Sequence, residues 1–330
     1  MKPRLLVLEL WGLGDLVIAT PFLRAASEKF AVTLLAKPFA QELRPRLWPT
    51  VTVVPFIAPW TAFHSKYHLW RWPWRGLFRL RRQLATENYS TGISARWDPR
   101  DHALMQFAGV RERYGIPRVN SAVFLTHPLP RPDVLAHHYD HWRTAGRALG
   151  LDLPTREKIN PPARASSNRV LLHSGARLPA RVWPLENFQK IAARLRANRV
   201  AVDIACDPDQ LAWWQGHGED ARSPRSVAEL LTIIDQSGVF IGNCSGPGHL
   251  AAICGVPTFT VYGPSLHEWF VPLHPAAEIF EGKACPYKPC ADYCRLATPA
   301  CLWNVTAEEV WPRVKTFVEK HLVPRTQVDQ

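Results

Sequence analysis

The sequence predicts an α/β protein of two doubly wound domains facing each other across a cleft. Three observations carry this reading. Short β-branched or leucine-rich runs alternate with amphipathic helical stretches in both halves of the chain, which is the signature of helices packed on a mostly parallel sheet. The rhythm stops at residues 152–168, where Pro154, Pro161 and Pro162 mark a linker, and restarts with RVLLHSGAR. In each half a strand runs into a glycine-containing loop and then a helix, at the strand edge where open α/β sheets bind ligands. The division expected is residues 1–160 and 161–306, with a last helix at about 307–322.

The first strand is RLLVLEL (4–10), an apolar run suited to a strand buried on both faces. It ends in WGLGDL, so Gly12, Gly14 and Asp15 fall in the loop before the helical VIATPFLRAASEKF. Asp15 there is a helix cap or a chemical group. The apolar start is interrupted by Glu9, Gly12, Gly14 and Asp15 and lacks a small-residue cleavage site, so a cytoplasmic protein is expected. Strands follow at 31–35 and 51–56.

Between Trp60 and Arg82 the composition changes: aromatics interleave with Arg71, Arg75, Arg79, Arg81 and Arg82. The segment divides into a loop to Pro73 and a basic amphipathic helix from Trp74. Such a helix lies in an anionic membrane interface, grips a phosphorylated glycolipid, or packs its apolar face on the sheet with its arginines solvated. The net charge of +12 calls for an anionic partner. No nucleic-acid-binding motif accompanies it. TGISAR (91–96) and VNSAVFL (119–125) read as strands. The helical HHYDHWRTAGRALGL brings His137, His138 and His141 near one another without zinc-site spacing, and surface or interdomain positions are expected for them.

In the second half, RVLLHSGAR is a strand with a small-residue loop. WPLENFQKIAARLRA is a helix, VAVDIAC (200–206) a strand, and SVAELLTIIDQS a helix. VFIGNCSGPGH (239–249) is a strand, a turn and a helix start with Pro247 in its first turn. Free N–H groups at that helix start would let Ser245 and Gly246 hold an anion, or the stretch is an ordinary turn. TFTVYG (258–263) completes the unit. Of seven cysteines, Cys285, Cys290, Cys294 and Cys301 cluster at C-x4-C-x3-C-x6-C. They supply enough thiolates for a structural zinc or iron site but lack paired C-x2-C knuckles, leaving reduced thiols or a disulfide as the alternatives.

GLGDLVIATPFLRA, HSGAR with RVWPLENFQKIAARL, GNCSGPGHLAAICGVPTFTVYGPS and the closing CPYKPC with CRLATPACLWNVTAEEVWPRV occur in order along almost the whole chain. Together they resemble glycosyltransferase family nine, the lipopolysaccharide heptosyltransferases. The resemblance implies a GT-B fold with an N-terminal acceptor domain, a C-terminal nucleotide-sugar domain, and a last helix crossing back to the first. It implies inverting transfer of a sugar, usually heptose from ADP-heptose, to a lipopolysaccharide core or related cell-envelope glycan, with no catalytic metal and no required cofactor. The enzyme would sit at the cytoplasmic face of the inner membrane.

By the same resemblance Asp15 is the general base, beside Gly14. Ser174, Gly175, Ser245 and Gly246 match phosphate loops, and Arg181 stands where relatives often have Lys. Asp207 and Asp209 fall near the ribose or base contact, and His249 follows the phosphate loop as a structural or ligand-contacting group. Gly14, Arg71, Trp72, Arg75 and Arg79 would meet the acceptor or membrane. Relatives typically read N-D-S-G-P where this chain has Asn243-Cys244-Ser245-Gly246-Pro247. A thiol cannot accept the charged hydrogen bonds of a carboxylate. The donor sugar therefore differs, its binding is weaker, or the protein binds sugar nucleotides or glycolipids without transfer.

Overall fold

The computed structural model describes residues 2–62, 68–164, 167–290 and 293–322; parts of the aromatic-basic segment (63–67) and of the linker (165–166) lie outside them. The chain divides into Met1–Leu153 and Pro154–Gln330. The boundary falls earlier than the expected 160/161. Leu151 and Leu153 are buried with the first unit, whereas Arg164 donates to the Ile234 and Asp235 carbonyls at 2.9 Å each and so ties the proline-rich stretch to the second.

The first unit runs β1 (Arg4–Glu9), α1 (Leu13–Ile18), α2 (Thr20–Lys29), β2 (Ala31–Ala36), α3 (Ala40–Leu47), β3 (Thr52–Pro55), α4 (Trp74–Thr86), β4 (Thr91–Ser94), α5 (Pro99–Phe107), β5 (Glu112–Gly115), β6 (His127–Pro128) and α6 (His138–Ala148). Its six strands are parallel in the order β3-β2-β1-β4-β5-β6. The leucines of β1 are buried, as a central parallel strand demands.

The strand expected at 119–125 does not form. Val119 and Asn120 take left-handed backbone conformations (φ 50° and 60°), a short 3-10 turn follows at Ser121–Phe124, and Val119 and Val123 point to solvent. The neighbouring strands β5 and β6 are short and polar, and hydrophobic periodicity misses them.

The second unit runs β7 (Arg169–His173), α7 (Leu185–Ala197), β8 (Ala201–Ala205), α8 (Leu211–Gly216), β9 (Ala221–Arg222), α9 (Val227–Asp235), β10 (Val239–Asn243), α10 (Gly246–Ile253), β11 (Thr258–Tyr262), α11 (His267–Phe270), β12 (Ala277–Glu281), α12 (Ala300–Trp303) and α13 (Ala307–His321). Its order, β12-β11-β10-β7-β8-β9, repeats the topology of the first sheet, again all parallel. Helix α13 buries Val310, Val314, Phe317 and Val318 in the second unit's core with Val170, Phe259 and helix α7. These positions form one helical stripe, and the second sheet supplies its apolar partner.

The strand order of each sheet reverses once, between β1 and β4 and between β7 and β10. Ligands of doubly wound sheets bind at the carboxyl ends of the strands flanking such a reversal. The loops and helix starts after these four strands hold Asp15, Arg96, Ser174–Gly175 and Cys244–Gly246.

Candidate active site residues in the two units

In the first unit, Asp15 sits in the first turn of α1, and its Oδ2 accepts the Gly12 N–H at 3.1 Å. The carboxylate therefore caps its helix and also faces a group of buried polar side chains. Arg96, just past β4, forms an ion pair with Asp15 through Nη2. The same guanidinium donates from Nη1 to His138 Nδ1 at 3.0 Å and lies over the Trp11 ring. A guanidinium can only donate, so His138 is the neutral tautomer with its proton on Nε2. Burial pushes the His138 pKa down, and the Arg96 charge adds to the effect.

Burial alone would raise the Asp15 pKa. Arg96, the largest opposing influence, and the Gly12 N–H outweigh it and hold the carboxyl well below the usual range. Asp15 is thus ionised at neutral pH, as a proton acceptor must be.

Asp15, Arg96, His138, His141, Trp142, Ala95 and Glu9 line one small pocket. Of the histidines expected at a surface or between domains, His137 and His141 are buried in this unit and His138 is partly buried. His141 packs against the Trp97 ring and has its pKa driven to about 3, mainly by burial. His137 caps α6 by accepting the Tyr139 N–H. Sequence reasoning missed Glu9, Arg96 and His138 as site residues. One signal was present: an acid in an otherwise apolar central strand.

Gly14 lies in the first turn of α1 beside Asp15. Arg71, Arg75 and Arg79 are exposed, whereas Trp72 is half-buried against Trp60 at the edge of the core. Helix α4 buries Leu77, Leu80 and Leu84 and leaves Trp74 and Phe78 exposed on another face, with Trp70 and Leu69 just before it.

In the second unit, Ser174 is fully buried. Its hydroxyl donates to Gln210 Oε1 at 2.8 Å and accepts from Trp214 Nε1 at 3.0 Å, while its carbonyl accepts from Asn243 Nδ2 at 2.7 Å. It is a structural node joining the loops after β7 and β10. Gly175 is required there by space: a Cβ would fall 2.4 Å from Asp207 Oδ1. Asp207 accepts the Ala176 N–H. Its pKa is nonetheless raised, first by burial and then by Asp209, which is itself exposed.

Ser245 precedes α10, with Pro247 in the first turn as expected. Its Oγ makes no cap bond, and neither it nor Arg181 Nε has a hydrogen-bond partner among the described residues. Cys244 is buried against the Tyr262 hydroxyl. Burial followed by Cys244 raises that phenol's pKa, and the nearby Arg181 opposes the rise. Gly246 opens α10, and His249 is buried within it, its ring edge-on to Phe270. A buried hydroxyl without a partner among the described residues thus stands at a helix N-terminus, with Arg181 near the adjoining Tyr262, a combination that suits an anion.

The four clustered cysteines carry free thiols. Cys290 donates to the Tyr287 carbonyl, Cys294 to the Thr298 carbonyl, and Cys301 is buried at the edge of the core. Among the described residues no group of three or more His, Cys, Asp or Glu is arranged to hold a metal ion. Two of the four thiols, Cys290 and Cys294, turn to backbone carbonyls rather than to a common centre.

The family model for glycosyltransferase family 9 (heptosyltransferase) matches residues 77–299. The chain belongs to this family. The glycosyltransferase has no match among curated protein sequences, but its fold is shared with solved structures. E. coli heptosyltransferase WaaC with ADP is 17% identical, with 95% of this chain and 99% of that one covered and a TM-score of 0.73. The family 9 glycosyltransferase from Veillonella parvula is 16% identical over 97% and 98%, with a TM-score of 0.76. The iron-containing dodecameric TibC of enterotoxigenic E. coli is 16% identical over 97% of this chain and 77% of that one, with a TM-score of 0.58; TibC is also solved with ADP-D-beta-D-heptose. These likenesses bear out the GT-B architecture, two six-stranded parallel α/β units.

Proposed function

We propose that this glycosyltransferase moves a heptose from ADP-heptose to a hydroxyl of a phosphorylated cell-envelope glycolipid, with inversion at the anomeric carbon. The observation that carries the reading is Asp15, held ionised by Arg96 at the carboxyl end of the central strand. In one displacement the acceptor oxygen attacks the anomeric carbon while Asp15 takes its proton. The bond from that carbon to the diphosphate oxygen breaks, and the nucleoside diphosphate leaves with the electron pair. Attack opposite the leaving group inverts the centre.

Arg181 and the N–H groups at the Ser245–Gly246 turn are the fixed donors for the developing charge on the leaving diphosphate. Asp207, against Gly175, is the carboxylate for the nucleotide ribose or base, with Asp209 outside it. Cys244, turned to Tyr262, stands where relatives place a carboxylate and gives the donor sugar a weaker contact. His249 supports the loop.

The exposed Trp70, Trp74 and Phe78 beside Arg71, Arg75 and Arg79 suit an anionic membrane surface carrying the acceptor at the cytoplasmic face. No helix of the described residues is long and apolar enough to cross a membrane.

Thermal unfolding with ADP-, GDP-, UDP- and dTDP-linked sugars tests the donor. A ligand at 100 times its Kd stabilises the folded state by about 2.7 kcal/mol. ADP-heptose raises Tm most under this reading; a rise confined to another nucleotide refutes the donor assignment.

A further inference from the structure

Glu9, the last residue of β1, is 2% exposed. One carboxylate oxygen accepts the Trp11 N–H at 3.2 Å. The other, Oε2, is buried without a hydrogen-bond partner, lines the Asp15 pocket, and lies 3.7 Å from Arg96 Nε. One guanidinium therefore faces two acids, with Asp15 on Nη2 and Glu9 toward Nε. It can neutralise only one of them, and the closer pair is with Asp15. The remaining groups around Glu9 supply no second cation: Asp101 on α5 is an acid, and His138 and His141 on α6 are held neutral.

We propose that Glu9 is a positioning residue that sets the basicity of Asp15 by competing for Arg96. While Glu9 carries its proton, Arg96 is committed to Asp15 and the base is weakened. When Glu9 ionises, the guanidinium is shared between two buried carboxylates. Its hold on Asp15 relaxes, and Asp15 takes the acceptor proton more readily. Burial, opposed by Arg96 and reinforced by Asp15, lifts the Glu9 pKa to about 8, so the exchange falls within the working range of a neutral-to-alkaline assay.

The inference rests on Asp15 as the base, and the test separates the two. The first measurement is kcat against pH for release of ADP as heptose passes from ADP-heptose to a phosphorylated glycolipid acceptor, comparing wild type with Glu9→Gln, Glu9→Met and Asp15→Asn. Wild-type kcat is expected to rise by about tenfold through the Glu9 titration, whereas both Glu9 variants give flat profiles over that range. Asp15→Asn should be inactive throughout. Activity in Asp15→Asn overturns the base reading itself; an inactive Asp15→Asn together with Glu9 variants that rise in parallel with wild type overturns only the role of Glu9.

The second measurement needs no turnover and is made on the whole folded protein. In a carbon-13 NMR titration of glutamate carboxyl carbons, the resonance lost in Glu9→Gln should titrate near pH 8 and shift in Arg96→Met. Titration in the ordinary carboxylate range refutes the proposal.

Discussion

Gly175→Ala is expected to weaken nucleotide binding. The new methyl would lie 2.4 Å from Asp207 Oδ1, 2.5 Å from Cγ and 2.7 Å from Oδ2, all far inside contact distance. The carboxylate must swing away and give up the Ala176 N–H. Losing one hydrogen bond to a charged group costs about 1.5–3 kcal/mol, and overpacking costs about 1–3 kcal/mol. Because the two relieve each other as Asp207 moves, a net loss of roughly 2 kcal/mol of stability is expected. If Asp207 holds the nucleotide, ADP affinity falls by about tenfold, the equivalent of roughly 1.4 kcal/mol. Urea unfolding gives the first quantity and isothermal titration with ADP the second. Wild-type ADP affinity in a variant destabilised as expected would refute Asp207 as a donor contact.

Asp101 is fully buried and accepts from Trp60 Nε1 and Ser94 Oγ. Burial, then Asp98, raises its pKa from 3.8 to about 7. The folded state therefore binds a proton that the unfolded chain has released, and this contribution to stability is present below pH 3.8 and lost as pH rises through about 7. Asp101→Asn should remove roughly 2–3 kcal/mol of the fall in unfolding free energy between about pH 5 and about pH 8; urea titrations showing the same slope as wild type would contradict it. A Trp74→Ser/Phe78→Ser double variant, altered on the exposed face of α4, should bind vesicles of anionic lipid about tenfold more weakly in a sedimentation assay while keeping the wild-type circular dichroism spectrum. Undiminished vesicle binding excludes that face as the contact.

The parallel sheets were legible because their central strands are long apolar runs with helical repeats between them, and the glycine loops marked the reversals. The short strands β5, β6 and β9 escaped notice because they are polar and lie near or at a sheet edge. Val119–Leu125 misled because its β-branched residues suggest extension, while the left-handed pair Val119–Asn120 turns the chain. In the candidate site, local sequence offered Asp15 as a helix cap or a chemical group and the Ser245 turn as an anion site or an ordinary turn, and Arg181 was singled out only through the family resemblance. Arg96 and His138 reach Asp15 only because β4 neighbours β1 and α6 packs near α1, a tertiary fact that no local window contains. Ser174 was matched to a phosphate loop only through the family resemblance. Only the structure shows its hydroxyl engaged by Gln210 and Trp214.

The most direct test of the account is single-turnover transfer from ADP-heptose to a phosphorylated glycolipid acceptor by wild type and Asp15→Ala. Both proteins should bind ADP with the same Kd, because Asp15 lies in the first unit and the residues proposed to hold the nucleotide lie in the second. Wild type should release ADP with inversion at the anomeric carbon, and the variant should lose about a hundredfold or more of the rate. Transfer by Asp15→Ala at the wild-type rate would contradict the central claim.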